Sequence, residues 1–195
     1  MQLADPQQVF LVRHGETEWS RAGRHTGRTD VPLSDQGRRR AEAIGRWLGR
    51  RPLVVYTSPL SRARETCHLA GYAAAAQVEP DLREWDYGVY EGRTTEEIRH
   101  AQPDWSVWLS PIVDGESLDQ LADRARKVLS RVLSAAPGDV ALFAHGHILR
   151  VLAACWLGLP PIMGRSLALD TASISVLGYE REARVIRLWN LQPPP

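Results

Sequence analysis

The sequence predicts an α/β fold, a three-layer α/β/α sandwich around a mostly parallel central sheet with an antiparallel strand. Short apolar runs at residues 9–12, 54–56 and 140–144 alternate with stretches of helical period, a pattern that builds a parallel sheet covered on both faces. The C-terminal region instead alternates through 173–179 and 184–189, as the two strands of a hairpin do. A chain of 195 residues with 44% hydrophobic content is enough for one substantial core, so residues 1–195 are expected to form a single domain.

The first strand, at 9–12, runs into a polar, glycine-containing loop that ends near Ser34, an N-cap for an amphipathic helix over about 35–50. After the strand at 54–56, Pro59 is expected to open a helix reaching about residue 70, since proline is tolerated in a first turn. Arg62 then lies in that turn. Thr94 with Glu97, and Ser117 with Gln120, have the spacing of capping boxes. They precede a short helix that Pro103 interrupts and a long helix to about residue 135, with a lid-like segment between them. The strand ending at Ala144 leads into a helix over 148–157, and residues 193–195 read as a disordered end.

The formal net charge of +1 argues against a nucleic-acid surface driven by bulk charge, and Arg38 to Arg40 read as a solvated helix face. Lys127 is the only lysine. Cys67 and Cys155 lack metal-type spacing and are expected in helix cores. No stretch has the length of a signal peptide or membrane span, so the expected location is cytoplasmic.

Arg13 and His14 come directly off the end of the first strand, where α/β proteins place their chemistry. An imidazole can attack phosphorus, and an adjacent guanidinium can grip phosphoryl oxygens while neutralising their charge. A second apolar strand also ends in His-Gly, at His145 and Gly146. Glu84 is the candidate general acid, because ester cleavage expels an alkoxide that needs a proton. It could hold that proton near neutral pH if burial or a bound phosphate raised its pKa. His145 and His147 could alternatively ligate a metal, but the sequence offers no further ligands at metal spacing. Trp105 and Trp108, at i and i+3, read as core packing.

The Arg13-His14-Gly15-Glu16-Thr17-Glu18-Trp19 opening, together with segments 25–34, 57–66, 84–92, 115–117 and 144–147, resembles the histidine phosphatase superfamily, in the branch containing the cofactor-dependent phosphoglycerate mutases. The resemblance implies the phosphoglycerate mutase-like sandwich and a phosphohistidine formed on His14. It implies a phosphate pocket of Arg13, Arg62 and His145, and contacts to phosphate or substrate from Ser20, Thr26, Gly27, Tyr87, Gly146 and His147. Glu16 would orient the opening loop.

Mutases of this family carry an insertion with basic residues after the Glu-Gly motif; here the only basic residues between Gly92 and Gly115 are Arg93, Arg99 and His100. The expected activity is therefore hydrolysis of small-metabolite phosphate monoesters, sugar phosphates or bisphosphates, as in the small acid-phosphatase and sugar-bisphosphatase members. Mutase-type transfer and a non-catalytic binding module are the alternatives. No cofactor, metal, nucleic acid or membrane is expected, and a homodimer is left open.

Overall fold

The computed structural model describes residues 7–49, 51, 53–134 and 138–194. One six-stranded sheet forms the middle layer, in the order β3-β2-β4-β1-β5-β6. Here β1 is Val9–Arg13, β2 Val54–Thr57, β3 Ala76–Val78, β4 Val140–Ala144, β5 Ile174–Glu180 and β6 Ala183–Leu191. Strands β1 to β4 are parallel to one another, while β5 runs antiparallel to both β1 and β6. The hairpin expected at the C-terminus is β5 and β6.

The central strands are apolar on both faces because both are covered. Val9 and Leu11 point into one apolar cluster and Phe10 and Val12 into the other, following the two-residue period of a strand. The first cluster lies under α5 (Leu118–Ser134) and α6 (Gly146–Trp156), the second under α2 (Asp35–Leu48) and α3 (Ser61–Leu69). Two short helices complete the set, α1 (Glu18–Arg21) and α4 (Thr95–Arg99).

Local signals account for most of these boundaries. Ser34 caps α2 by accepting from Gly37 N at 3.0 Å. Thr94 and Glu97 form the reciprocal box that starts α4, and Ser117 and Gln120 bond each other's backbone amides at the start of α5. Cys67 is buried in α3 and Cys155 half-buried in α6, both as free thiols.

Three expectations are corrected. Helix α3 begins at Ser61, not Pro59, because the Asp30 carboxylate captures Ser61 N at 2.8 Å and Ser61 Oγ at 2.7 Å. Helix α6 begins at Gly146, two residues before 148, directly after His145. Pro193 is buried, and its carbonyl accepts from Arg40 at 3.4 Å, while residue 195 lies outside the described residues. Arg38 to Arg40 lie on an exposed face of α2, where Arg38 also pairs with Glu65 at 2.7 Å.

The parallel strands β1, β4 and β2 end side by side, with Arg13 opposite Ala144 and Thr57 opposite Phe143. The next residues, His14, His145 and Ser58, therefore emerge together at the carboxyl edge, the place where open α/β sheets bind ligands. No helix of the described residues is long and apolar enough to cross a membrane.

Candidate active site

His14 is 5% exposed. Its Nδ1 donates to the Gly15 carbonyl at 2.7 Å, so in the neutral ring Nε2 carries the lone pair. Burial, then the charges of Arg62 and Arg13, hold its pKa well below the usual imidazole value, and the ring is neutral and nucleophilic. The loop carrying it is set by close packing: a Cβ on Gly15 would sit 2.5 Å from the Gly37 carbonyl oxygen, so the loop lies directly on the first turn of α2. Glu16 secures the same junction through Ser34, whose hydroxyl donates to it at 2.8 Å.

The second histidine faces the first, with ring centroids 5.2 Å apart. Arg62, fully buried in the first turn of α3, donates from Nε to His145 Nδ1 at 3.1 Å. A guanidinium cannot accept, so the neutral His145 ring carries its proton on Nε2, which donates to Ser58 Oγ at 2.7 Å. Burial, Arg62 and His14 keep its pKa well below the usual value. The other Arg62 nitrogens hold the carbonyls of Thr29, Thr26 and Gly27 at 2.9 to 3.2 Å. Glu91 completes the clamp by accepting from Gly27 N at 2.9 Å and Thr29 N at 3.0 Å. Arg13 donates from Nη1 to the Leu169 carbonyl, but its buried Nε has no partner.

Glu84 is buried and its carboxylate caps α6. It accepts from His147 N at 3.0 Å, Ile148 N at 3.0 Å and Trp85 N at 3.0 Å. Burial alone would raise its pKa, but the contacts with His147 outweigh it and hold the group well below the usual carboxylate range. The expectation of a raised pKa is thus corrected: the His147 side chain, then His145 and the His147 amide, hold Glu84 below the usual carboxylate range.

The remaining candidates divide. Tyr87 is buried and its hydroxyl bonds His147 Nδ1 at 2.7 Å. The His147 ring sits among Trp85, Tyr87 and Trp108, and Trp108 is therefore a wall of this site besides packing in the core. Gly146 starts α6 against the Arg13 guanidinium, where a Cβ would lie 3.3 Å from Cζ. Thr26 and Gly27 contribute backbone carbonyls to Arg62, and the Thr26 hydroxyl turns to Arg24 O at 3.0 Å. The Ser20 hydroxyl closes the capping box of α1 with Thr17. Three site residues escaped the sequence reading: Ser58, Glu91 and His25. His25 packs 4.9 Å from Tyr87, and burial, with the nearby His147, lowers its pKa to about 4. Each lay in a motif that was recognised, but its bonding partner is distant in sequence.

Comparison with known proteins decides the family. The sequence profile of the histidine phosphatase superfamily (branch 1) matches residues 9–192. The chain belongs to that family. An acid phosphatase of Mycobacterium tuberculosis is 42% identical to this histidine phosphatase over 191 residues, 96% of this chain and 94% of that one. Sedoheptulose 1,7-bisphosphatase of Saccharomyces cerevisiae is 33% identical, covering 77% and 67%. A probable phosphoglycerate mutase of Serratia proteamaculans is also 33% identical, covering 93% and 89%. The solved structure of the Mycobacterium tuberculosis open reading frame Rv3214 superposes with a TM-score of 0.92 at 41% identity, covering 96% and 99%. This histidine phosphatase is an enzyme of the phosphoric monoester hydrolase class, acting on small phosphate esters.

Proposed function

We propose that the chain hydrolyses phosphate monoesters of small sugars through a phosphohistidine on His14. The observation that carries the reading is the His14 ring itself: buried, neutral, with Nδ1 fixed and Nε2 free, beside the unpartnered Nε of Arg13. Nε2 attacks phosphorus as the ester O–P bond breaks. Arg13 and Arg62 stabilise the charge on the non-bridging oxygens, and His145 joins them when its Nε2–H turns from Ser58 Oγ to the phosphoryl group. The alkoxide takes a proton from Glu84; water then attacks the phosphohistidine, returns a proton to Glu84 and releases phosphate. Thr26, Gly27, Tyr87, Gly146 and His147 shape the pocket, without cofactor or metal. A single domain in the cytoplasm, acting on free metabolites, accords with the near-balanced charge.

Glu84, held below the usual carboxylate range, needs a proton source. A phosphate ester monoanion supplies one: the dianion left in the pocket repels the carboxylate and raises its pKa, so the proton passes to Glu84. Activity should therefore fall as pH rises through the second ionisation of the ester, at about 6.

Hydrolysis rather than mutase transfer is supported by the segment between Gly92 and Gly115. Its Arg93 and Arg99 are engaged by the carbonyls of Glu97 and Trp105, at 3.0 and 2.8 Å. Rapid quenching with radiolabelled ester should place label on His14; label on a serine or cysteine would refute the scheme. A coupled phosphoglycerate mutase assay, run beside phosphate release, should show release dominating.

A further inference from the structure

We propose that Thr66, in α3, is a positioning residue for the nucleophile: its hydroxyl fixes the Gly15 carbonyl that holds Nδ1 of His14. The proposal rests on the phosphohistidine reading above and adds to it a residue outside the phosphate pocket. Thr66 is fully buried, and its hydroxyl donates to the Arg62 carbonyl one helical turn back, at 2.7 Å. A hydroxyl has one hydrogen, so towards any other group its oxygen can only accept. It accepts from the buried Gly15 amide at 3.0 Å.

That bond bears on His14 because Gly15 has no side chain to restrict its own conformation. The direction of its carbonyl follows from the peptides on either side. On one side the His14 carbonyl accepts from Ala172 N at 2.9 Å and the Gly15 amide donates to Thr66, so the peptide between them is pinned at both edges. On the other side the Glu16 carbonyl accepts from Ser34 N at 2.8 Å. Between these anchors the Gly15 carbonyl meets His14 Nδ1 at 2.7 Å. Without the Thr66 oxygen a buried amide lacks its acceptor and turns to find another. The carbonyl moves with it, and Nε2 loses its alignment.

The carbonyl matters most during attack. As the Nε2 lone pair bonds to phosphorus and the ester O–P bond breaks, the alkoxide takes the Glu84 proton. The His14 ring, still protonated at Nδ1, gains a positive charge. A carbonyl dipole already aimed at Nδ1–H meets that charge as it develops. The Thr66 hydroxyl also ties Gly15 to the helical turn that carries Arg62, and Arg62 sets the tautomer of His145. One side chain outside the pocket thus joins the frames of both histidines.

Thr66→Val keeps the shape of the side chain and removes the hydroxyl, whereas Thr66→Ser keeps the hydroxyl. With p-nitrophenyl phosphate, whose leaving group needs no acid, Thr66→Val should form the phosphoenzyme about 10- to 100-fold more slowly in single turnover, the scale of a misplaced reacting group. Inhibition by inorganic phosphate should change by less than about threefold, because Arg13 and Arg62 stay in place. Nitrogen-15 spectra of ring-labelled histidine should show His14 protonated on Nδ1 in the wild type and a mixture of tautomers in Thr66→Val. Thr66→Ser should restore both the rate and the single tautomer. A Thr66→Val rate within about twofold of wild type, a serine variant as slow as the valine one, or phosphate binding lost in step with the rate overturns the proposal. If Thr66→Val does not fold, Thr66→Ala takes its place with the same expected outcomes, and a wild-type His14 protonated on Nε2 overturns the proposal without any variant. The hydrolase reading fails separately, if the wild-type protein releases no phosphate from any ester, p-nitrophenyl phosphate included.

Discussion

His14 and His145 leave adjacent parallel strands at the same level, each followed by glycine, yet their rings are bonded in opposite senses. A carbonyl oxygen meets Nδ1 of His14, whereas the Arg62 Nε–H meets Nδ1 of His145. The first contact leaves a lone pair on Nε2 and the second leaves a proton there. Burial keeps both rings neutral. One imidazole thereby presents a lone pair at Nε2 and the other an N–H. The role comes from the group that reaches Nδ1, since the His-Gly dipeptide is the same in both.

Replacing the nucleophile breaks this comparison most sharply. His14→Ala should lower kcat by about 10⁵-fold, the scale of losing a covalent catalyst, with the circular dichroism spectrum retained. Turnover within a few-fold of wild type would remove His14 from the chemistry.

Glu84→Gln comes next. An amide cannot supply the proton, so alkyl phosphates should slow by about 10²- to 10⁴-fold while esters of acidic phenols, which leave unaided, slow far less. Equal losses on both classes would assign Glu84 to capping α6 alone. The same residue links the two histidines' surroundings, because the helix it caps is the one that His145 leads into.

His145→Gln should cost less than either, about 10²- to 10³-fold in kcat, because a donor to the transition state is lost while the nucleophile stays. Label should still accumulate on His14 in that variant. Its absence would mean that His145 shares the covalent step and that the tautomer argument is wrong.

Much of this was legible in the sequence because the signals are local. Ser34, Thr94 and Ser117 each act on an amide three residues away, so the starts of α2, α4 and α5 could be read directly. Strand β3 could not: it is three residues long and follows an alanine run with no period. The start of α3 was misplaced because Asp30, 31 residues upstream, sets it. The histidines were found from their strand ends, but their tautomers depend on Arg62 and Gly15 in the folded state. The lowered pKa of Glu84 comes from contacts with His147 and His145, which lie far along the chain and which no spacing rule anticipates.

Buried neutral histidines also tie stability to pH. His14 and His145 are held well below the usual value, His25 near about 4, and His147 is lowered by burial. Above about 6.5 folded and unfolded states are both neutral at these rings, and the groups contribute no slope. As pH falls below that value the unfolded chain takes up protons that the folded chain refuses, so stability declines by at most about 1.4 kcal/mol per pH unit per histidine. Glu84, with its lowered pKa, retains its stabilising contribution through this window and loses it only at lower pH. Urea unfolding between about pH 7 and about pH 5 should show this fall, and a flat profile would contradict the neutral state assigned to the pair.

The smallest expected effect is that of a chelator, and it tests the same bonding pattern. A metal ligand must offer a lone pair, and His145 has only Nδ1 to offer, which Arg62 occupies. His147 has Nδ1 against the Tyr87 hydroxyl, 2.7 Å away. Among the described residues no group of three or more histidine, cysteine, aspartate or glutamate side chains could hold a metal ion. In the proposed scheme the positive field that divalent ions supply in other phosphoryl-transfer sites comes from Arg13 and Arg62. Prolonged dialysis against a strong chelator should thus leave kcat and KM unchanged. Loss of activity that zinc or manganese restores would show that His145 gives up Arg62 for a metal, and with it the distinction between the two histidines.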